Sequence, residues 1–210
     1  MVKRVHPNNP SVSDPEFAAQ MYASVKHPRA WLRAGQRLLA GADAIILSEE
    51  PNSQRFWQEL HRVGKEGGSL DPNEFPTPDF AAAFLLMAYA AENFLKGNAV
   101  AKGLVQFDGT NLPTKLKSHD LTNLHKFAGS TISSPPWLLD LLTYCSTWYS
   151  RYPVPASAGE YWPMDDQGNL KANSYPADAH HQIRAFCAAL EAELSVMAPA
   201  QWPVPLAVPP

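Results

Sequence analysis

Phe80-Ala81-Ala82-Ala83-Phe84-Leu85-Leu86-Met87-Ala88-Tyr89-Ala90-Ala91-Glu92-Asn93-Phe94-Leu95-Lys96 decides the fold class. The first twelve of these residues are Ala, Phe, Leu, Met or Tyr, so the helix they form is apolar nearly all the way round and has to be surrounded by other elements. The run is too short to span a bilayer, which needs about 20 apolar residues. Glu92 and Lys96 then introduce opposite charges in the favourable i, i+4 order. A charge inside a buried helix needs a partner, because an isolated buried ion costs several kcal/mol. Ala88, Leu85 and Ala81 share the face of Glu92, which therefore points into packed structure. Two readings stay open for this carboxylate. It is a general base or an anchor that orients a cation in a cleft, or it is one half of a structural ion pair with Lys96 or with an arginine of another helix.

Working outward, proline and glycine mark the boundaries. Ser13-Asp14-Pro15-Glu16 is a capping box opening a short helix that carries Phe17, Met21 and Val25 and ends at Pro28. A second helix is predicted from Pro28 to Leu47 on the stripe Trp31, Leu38, Ala42, Ile45 and Ile46, and a separate short one over 52–63. The buried helix is predicted to start at Thr77-Pro78 and to run to about Lys102. Ser118 or Asp120 caps a short helix stopped by Gly129, and Ser134-Pro135 opens another. A long loop covers 152–176, a last helix 177–197, and a polyproline-like tail follows. No stretch alternates with period two for long enough to argue a strand. The expectation is an all-α protein, most simply an antiparallel up-and-down bundle, with a 1–27 extension, a 28–198 helical domain and a 199–210 tail.

At 210 residues, 45% hydrophobic and 18% charged, the chain is long enough for one cored domain. Its net charge of −3 leaves no global basic footprint, so nucleic-acid binding would need a local patch. Cys145 and Cys187 lie in apolar helical surroundings and read as reduced thiols. With no apolar leader after Met1 and no spanning segment, a cytoplasmic protein without membrane attachment is expected.

Further polar groups could join Glu92. Asp140, Tyr144, Thr147 and Arg151 recur at helical spacing on one face; Arg151 either answers the helix macrodipole or pairs with Glu92 through its planar guanidinium. In Ser118-His119-Asp120-Leu121, Asp120 serves as helix cap, while His119 either accompanies that cap or faces a cleft as acid or base. The adjacent His180 and His181 cannot share one helix face, and His119 and His125 are six apart. Neither pair has zinc-ligand spacing, so no metal and no cofactor is predicted. Phosphate-cradling glycine loops and nucleophile elbows are absent from the sequence.

Taken in order, Pro28-Arg29-Ala30-Trp31-Leu32, Ala90-Ala91-Glu92-Asn93-Phe94-Leu95-Lys96-Gly97, Ser118-His119-Asp120-Leu121 with Leu124, and Trp148-Tyr149-Ser150-Arg151-Tyr152-Pro153 resemble the HEPN (higher eukaryotes and prokaryotes nucleotide-binding) superfamily of bacterial helical proteins. The resemblance spans roughly residues 28–155. It implies a four-helix bundle, here with extra N- and C-terminal helices, often a homodimer, with a polar cleft between the Glu helix and the Arg helix. The candidate ligand-binding residues are then Glu92, Lys96, His119, Asp140, Tyr144 and Arg151. Many members are metal-independent ribonucleases, and many are toxins held in check by a nucleotidyltransferase-type antitoxin or act in phage defence. Their nuclease motif, Arg followed after four to six residues by His, is missing here: no histidine follows Arg151 before His180. Arg55 and His61 have that spacing but fall outside the equivalent helix. The reading is a non-catalytic module that binds a nucleotide, RNA or a partner protein. A ribonuclease using Arg151 with His119, and a purely structural interaction bundle, are the alternatives.

Overall fold

The computed structural model describes residues 22–71, 73–107, 111–149 and 178–198. The expected capping box at Ser13, the 152–176 loop, the tail and Arg151 lie outside these residues. Every regular element among the described residues is helical, as the patterning predicts: α1 (Pro28–Glu66), α2 (Ala81–Ala101), α3 (Leu121–Ala128), α4 (Pro136–Tyr144) and α5 (Ala179–Met197), with 3-10 turns at Ser24–Lys26 and Thr114–Lys117. No helix among them is long and apolar enough to cross a membrane.

Helix α1 starts where Pro28 places it. His27 is the cap residue, its Nδ1 accepting the Arg29 N–H at 3.3 Å, and Pro28 occupies the first turn, where its missing N–H costs nothing. The Trp31 indole N–H donates to the Val25 carbonyl at 2.7 Å and clamps the entering chain. The helix then runs for 39 residues, about 58 Å at 1.5 Å per residue, ending at Gly67 with φ 76°. This corrects the prediction of two helices over 28–47 and 52–63: the chain continues helically through Pro51. Interior proline removes one backbone bond and crowds the preceding turn. Here Pro51 is exposed and Leu47, whose carbonyl it deprives of a donor, is 78% exposed, so solvent can take over that carbonyl. The buried positions of α1 are Leu32, Gly35, Leu39, Ala42 and Ser53, so only its first two-thirds is packed.

Helix α2 is the centre of the molecule, packing against α1, α3, α4 and α5. Twelve of its 21 residues are buried, on all sides, as its composition requires. It begins at Ala81 rather than at Pro78. The Asp79 carboxylate accepts the Ala81 N–H at 2.8 Å and ends the loop three residues later than the Thr-Pro signal suggests. Two glycines let the neighbouring helices approach. A Cβ on Gly35 of α1 would sit 2.3 Å from the Phe94 ring. One on Gly97 of α2 would sit 2.5 Å from Leu194 of α5 and 2.9 Å from Trp31 Cβ of α1.

Helix α3 has the termini its sequence prescribes. Asp120 Oδ1 accepts the Asn123 N–H at 2.9 Å, and Gly129 ends the helix in the left-handed conformation at φ 54°. Helix α4 opens at Pro136, one residue after the predicted start, and widens into a π-helical turn at Cys145–Tyr149. The last helix is anchored to α1 by a two-pronged Arg184–Asp43 pair, at 2.5 and 3.0 Å, and to α2 by Glu193. That carboxylate accepts from Asn98 Nδ2 at 2.8 Å and from the Ser130 hydroxyl at 2.6 Å, while Lys102 donates to the last carbonyls of α3, Ala128 and Gly129. This fastening of α2, α3 and α5 had no sequence signal, since Asn98, Ser130 and Glu193 lie in three separate segments.

Cys145 and Cys187 are both buried, as expected of apolar helical positions. Burial pushes the Cys187 thiol up to about 12, and its Sγ donates to the Met87 carbonyl at 3.5 Å. The thiolate is the reactive form. Native protein at pH 8 should therefore leave Cys187 unalkylated by iodoacetamide, with full labelling after unfolding, read by peptide mass spectrometry. Rapid labelling of the native chain would show that α5 detaches readily.

Candidate functional site

Of the six polar residues predicted from sequence, Lys96 and His119 meet at Glu92. Its side chain is only 8% exposed. One carboxylate oxygen takes the Lys96 ammonium at 2.6 Å, one helical turn on, and the other lies 2.8 Å from Nδ1 of His119. Lys96 is equally buried, whereas the His119 side chain is 42% exposed. The arrangement thus runs from an enclosed ammonium through an enclosed carboxylate to an imidazole open to solvent.

The sequence around His119 explains how it is held there. Leu116, fully buried in the Thr114–Lys117 turn, pins the incoming chain to the core. Ser118 Oγ accepts the Asp120 N–H at 3.1 Å, and Asp120 caps α3, so both neighbours of His119 are fixed by their own side chains. Helix α4 secures the same stretch from the other side. Thr143 Oγ1 accepts the Leu121 N–H at 3.0 Å, and the buried Ser146 hydroxyl donates to the Thr143 carbonyl at 2.9 Å and, at 3.4 Å, to that of His119 itself. Tyr89, one turn before Glu92, reaches the Ser146 carbonyl at 3.4 Å. Ser146 lies in the π-helical turn, a geometry that occurs often where a helix serves a site.

Glu92, Lys96 and His119 are thus brought together. Asp140 is exposed on α4, and Tyr144 is half-buried at its end. Arg151, the predicted partner of Glu92, lies outside the described residues. Asp120 caps α3, and His119, the residue before it, reaches the Glu92 carboxylate. Thr143 and Ser146 were missed as positioning residues, because a hydroxyl inside an apolar helix carries no sign of which distant backbone group it will bind. Lys115 and Lys117, exposed just ahead of His119, were also overlooked, although a Lys-x-Lys-x-His spacing can be read directly.

Chemically, the Lys96 ammonium offsets the Glu92 carboxylate, and His119 is the group of the three most open to solvent. With Nδ1 directed at a carboxylate, the opposite ring nitrogen, Nε2, is the one left to meet a ligand or exchange a proton. In comparisons with known proteins, no family model, no curated protein and no solved structure matches the chain.

Proposed function

We propose that the chain is a HEPN-like four-helix module that binds a phosphate-bearing ligand, a nucleotide or RNA, at His119 without cleaving it. The observation that carries this reading is the Glu92 carboxylate shared by a buried ammonium and a half-exposed imidazole. Protonated His119 leaves the site with one uncompensated positive charge, and Lys115 and Lys117 add two exposed ammonium groups to the same turn and its end. Cations clustered on a chain of net charge −3 are the local patch that phosphate recognition needs. Under the same reading the chain pairs as a homodimer, and meets a nucleotidyltransferase-type antitoxin or acts in phage defence.

The Glu92–His119 contact also favours a second reading, metal-independent ribonuclease activity, because a carboxylate on Nδ1 orients an imidazole for acid–base work at Nε2. One experiment addresses both. Fluorescently labelled single-stranded RNA and labelled ATP are titrated against wild type, His119→Ala and Lys117→Ala, with RNA integrity followed in EDTA. Binding without cleavage is expected, with affinity falling on the order of tenfold for His119→Ala and less for Lys117→Ala, and weakening as salt rises. RNA cleavage lost in His119→Ala would establish the second reading. Absence of binding by wild type, or identical binding by both variants, would leave the cleft a structural ion cluster.

A further inference from the structure

Far along the chain from His119, the first turn of α5 meets the middle of α1, and the groups there do not satisfy one another. His180 is 6% exposed, and its Nε2 has no hydrogen-bond partner. Glu50 Oε2 is likewise buried and unpartnered, although the two atoms are 3.5 Å apart. Leaving two buried polar atoms unmatched side by side is costly, and a cation between them would satisfy both. We propose that Glu50, His180 and His181 form a binding site for a zinc-type divalent metal ion.

The donor atoms of these three residues all lie within 4.8 Å of one another. Tetrahedral zinc with bonds of about 2.0–2.1 Å holds its ligand atoms roughly 3.4 Å apart. The Glu50–His180 separation of 3.5 Å already has that value. His181 is exposed, its ring centroid 4.0 Å from that of His180, and its imidazole can close the remaining gap from the solvent side. Two imidazoles and a carboxylate are the borderline donor set that suits zinc, and three protein ligands leave a fourth position for water.

The surroundings support the ligands. The His180 ring stacks on Phe80 with centroids 4.5 Å apart and planes 8° from parallel, which fixes its orientation. Gln54 Nε2 donates to Glu50 Oε1 at 3.2 Å, leaving Oε2 as the free oxygen. A neutral imidazole is the form that ligates a metal ion. The positive end of the α5 dipole opposes a cation here, and the carboxylates of Glu50 and Asp178, both lining the same cleft of about 350 Å³, offset it. Adjacent histidines on one helix diverge, so their spacing alone argues against shared ligation. The geometry changes once a third donor comes from a different helix.

The test uses the full chain without an affinity tag. Wild type, His181→Ala and Glu50→Gln are dialysed against Zn2+ and then metal-free buffer, and retained metal is counted by mass spectrometry, with Co2+ substitution followed by visible absorption. Wild type should retain one equivalent and show the intense bands of low-coordinate Co2+. Each variant should lose affinity on the order of tenfold or more. Circular dichroism identifies folded variants, and the exposed His181 makes His181→Ala the one expected to fold unchanged. Zn2+ should raise the melting temperature of wild type but not of His181→Ala. Failure of wild type to retain zinc, or equal retention by wild type and both variants, would overturn the proposal.

Discussion

Glutamine in place of Glu92 should destabilise the protein by about 3–5 kcal/mol, the range seen when one member of a buried ion pair is removed. The magnitude follows from the geometry. Lys96 is 5% exposed on its side chain, and its ammonium bonds Glu92 at 2.6 Å. Glutamine keeps the shape but not the charge, so the ammonium either stays buried without a counter-ion or gives up its proton, and both options cost stability. Replacing the pair together, as Glu92→Gln with Lys96→Met, removes the stranded charge. The double variant should then recover much of the loss, since apolar replacement of a whole buried pair is often close to neutral. Urea denaturation of the four proteins yields the coupling energy directly. A single-variant cost under about 1 kcal/mol would mean that water reaches Lys96 and that the enclosed carboxylate is not enclosed.

The second large effect runs against helix propensity. Glycine to alanine within a helix ordinarily gains about 1 kcal/mol. At Gly35 the added methyl would lie 2.3 Å from Cε1 of Phe94, a fully buried ring. Gly35→Ala should therefore cost about 1–3 kcal/mol by forcing α1 away from α2. Gly64, on the same helix with nothing within 4 Å, provides the control, and Gly64→Ala should show the ordinary gain. Phe94→Leu should partly relieve the clash, so the Gly35→Ala/Phe94→Leu protein should lose less than the two single losses added. Thermal unfolding of the set reads all four. A stabilised Gly35→Ala would contradict the close approach of α1 and α2 at Phe94.

The α2 pattern shows why fold class was legible while other features were not. Twelve consecutive apolar residues can only be a surrounded helix, and the local signals at Asp120 and Gly129 fix α3 because caps act within one turn. Pro51 misled for the same reason. Read locally it ends a helix, but its position on the solvent side, which decides its cost, is set by how α1 docks. The early Thr77-Pro78 signal lost to Asp79, which supplies a competing acceptor for the Ala81 N–H. At the site, Glu92 and Lys96 were readable as an i, i+4 pair. Their junction with His119 rests on Leu116, Thr143 and Ser146, whose partners lie elsewhere in the chain. The Glu50–His180 approach is invisible to any spacing rule, because its members lie 130 residues apart.

The site depends on a bond from His119 Nδ1 to the Glu92 carboxylate, and the tautomer of that ring tests it most directly. A neutral imidazole whose Nδ1 lies 2.8 Å from a carboxylate oxygen must carry its proton on Nδ1. Long-range nitrogen–proton correlation spectra of uniformly 15N-labelled protein, at a pH where His119 is neutral and with the peak assigned through His119→Gln, report which nitrogen is protonated. The predicted result is the Nδ1–H tautomer in wild type, lost in Glu92→Gln if that variant remains folded in the same buffer. An Nε2–H tautomer in wild type would set two acceptors face to face and contradict the site.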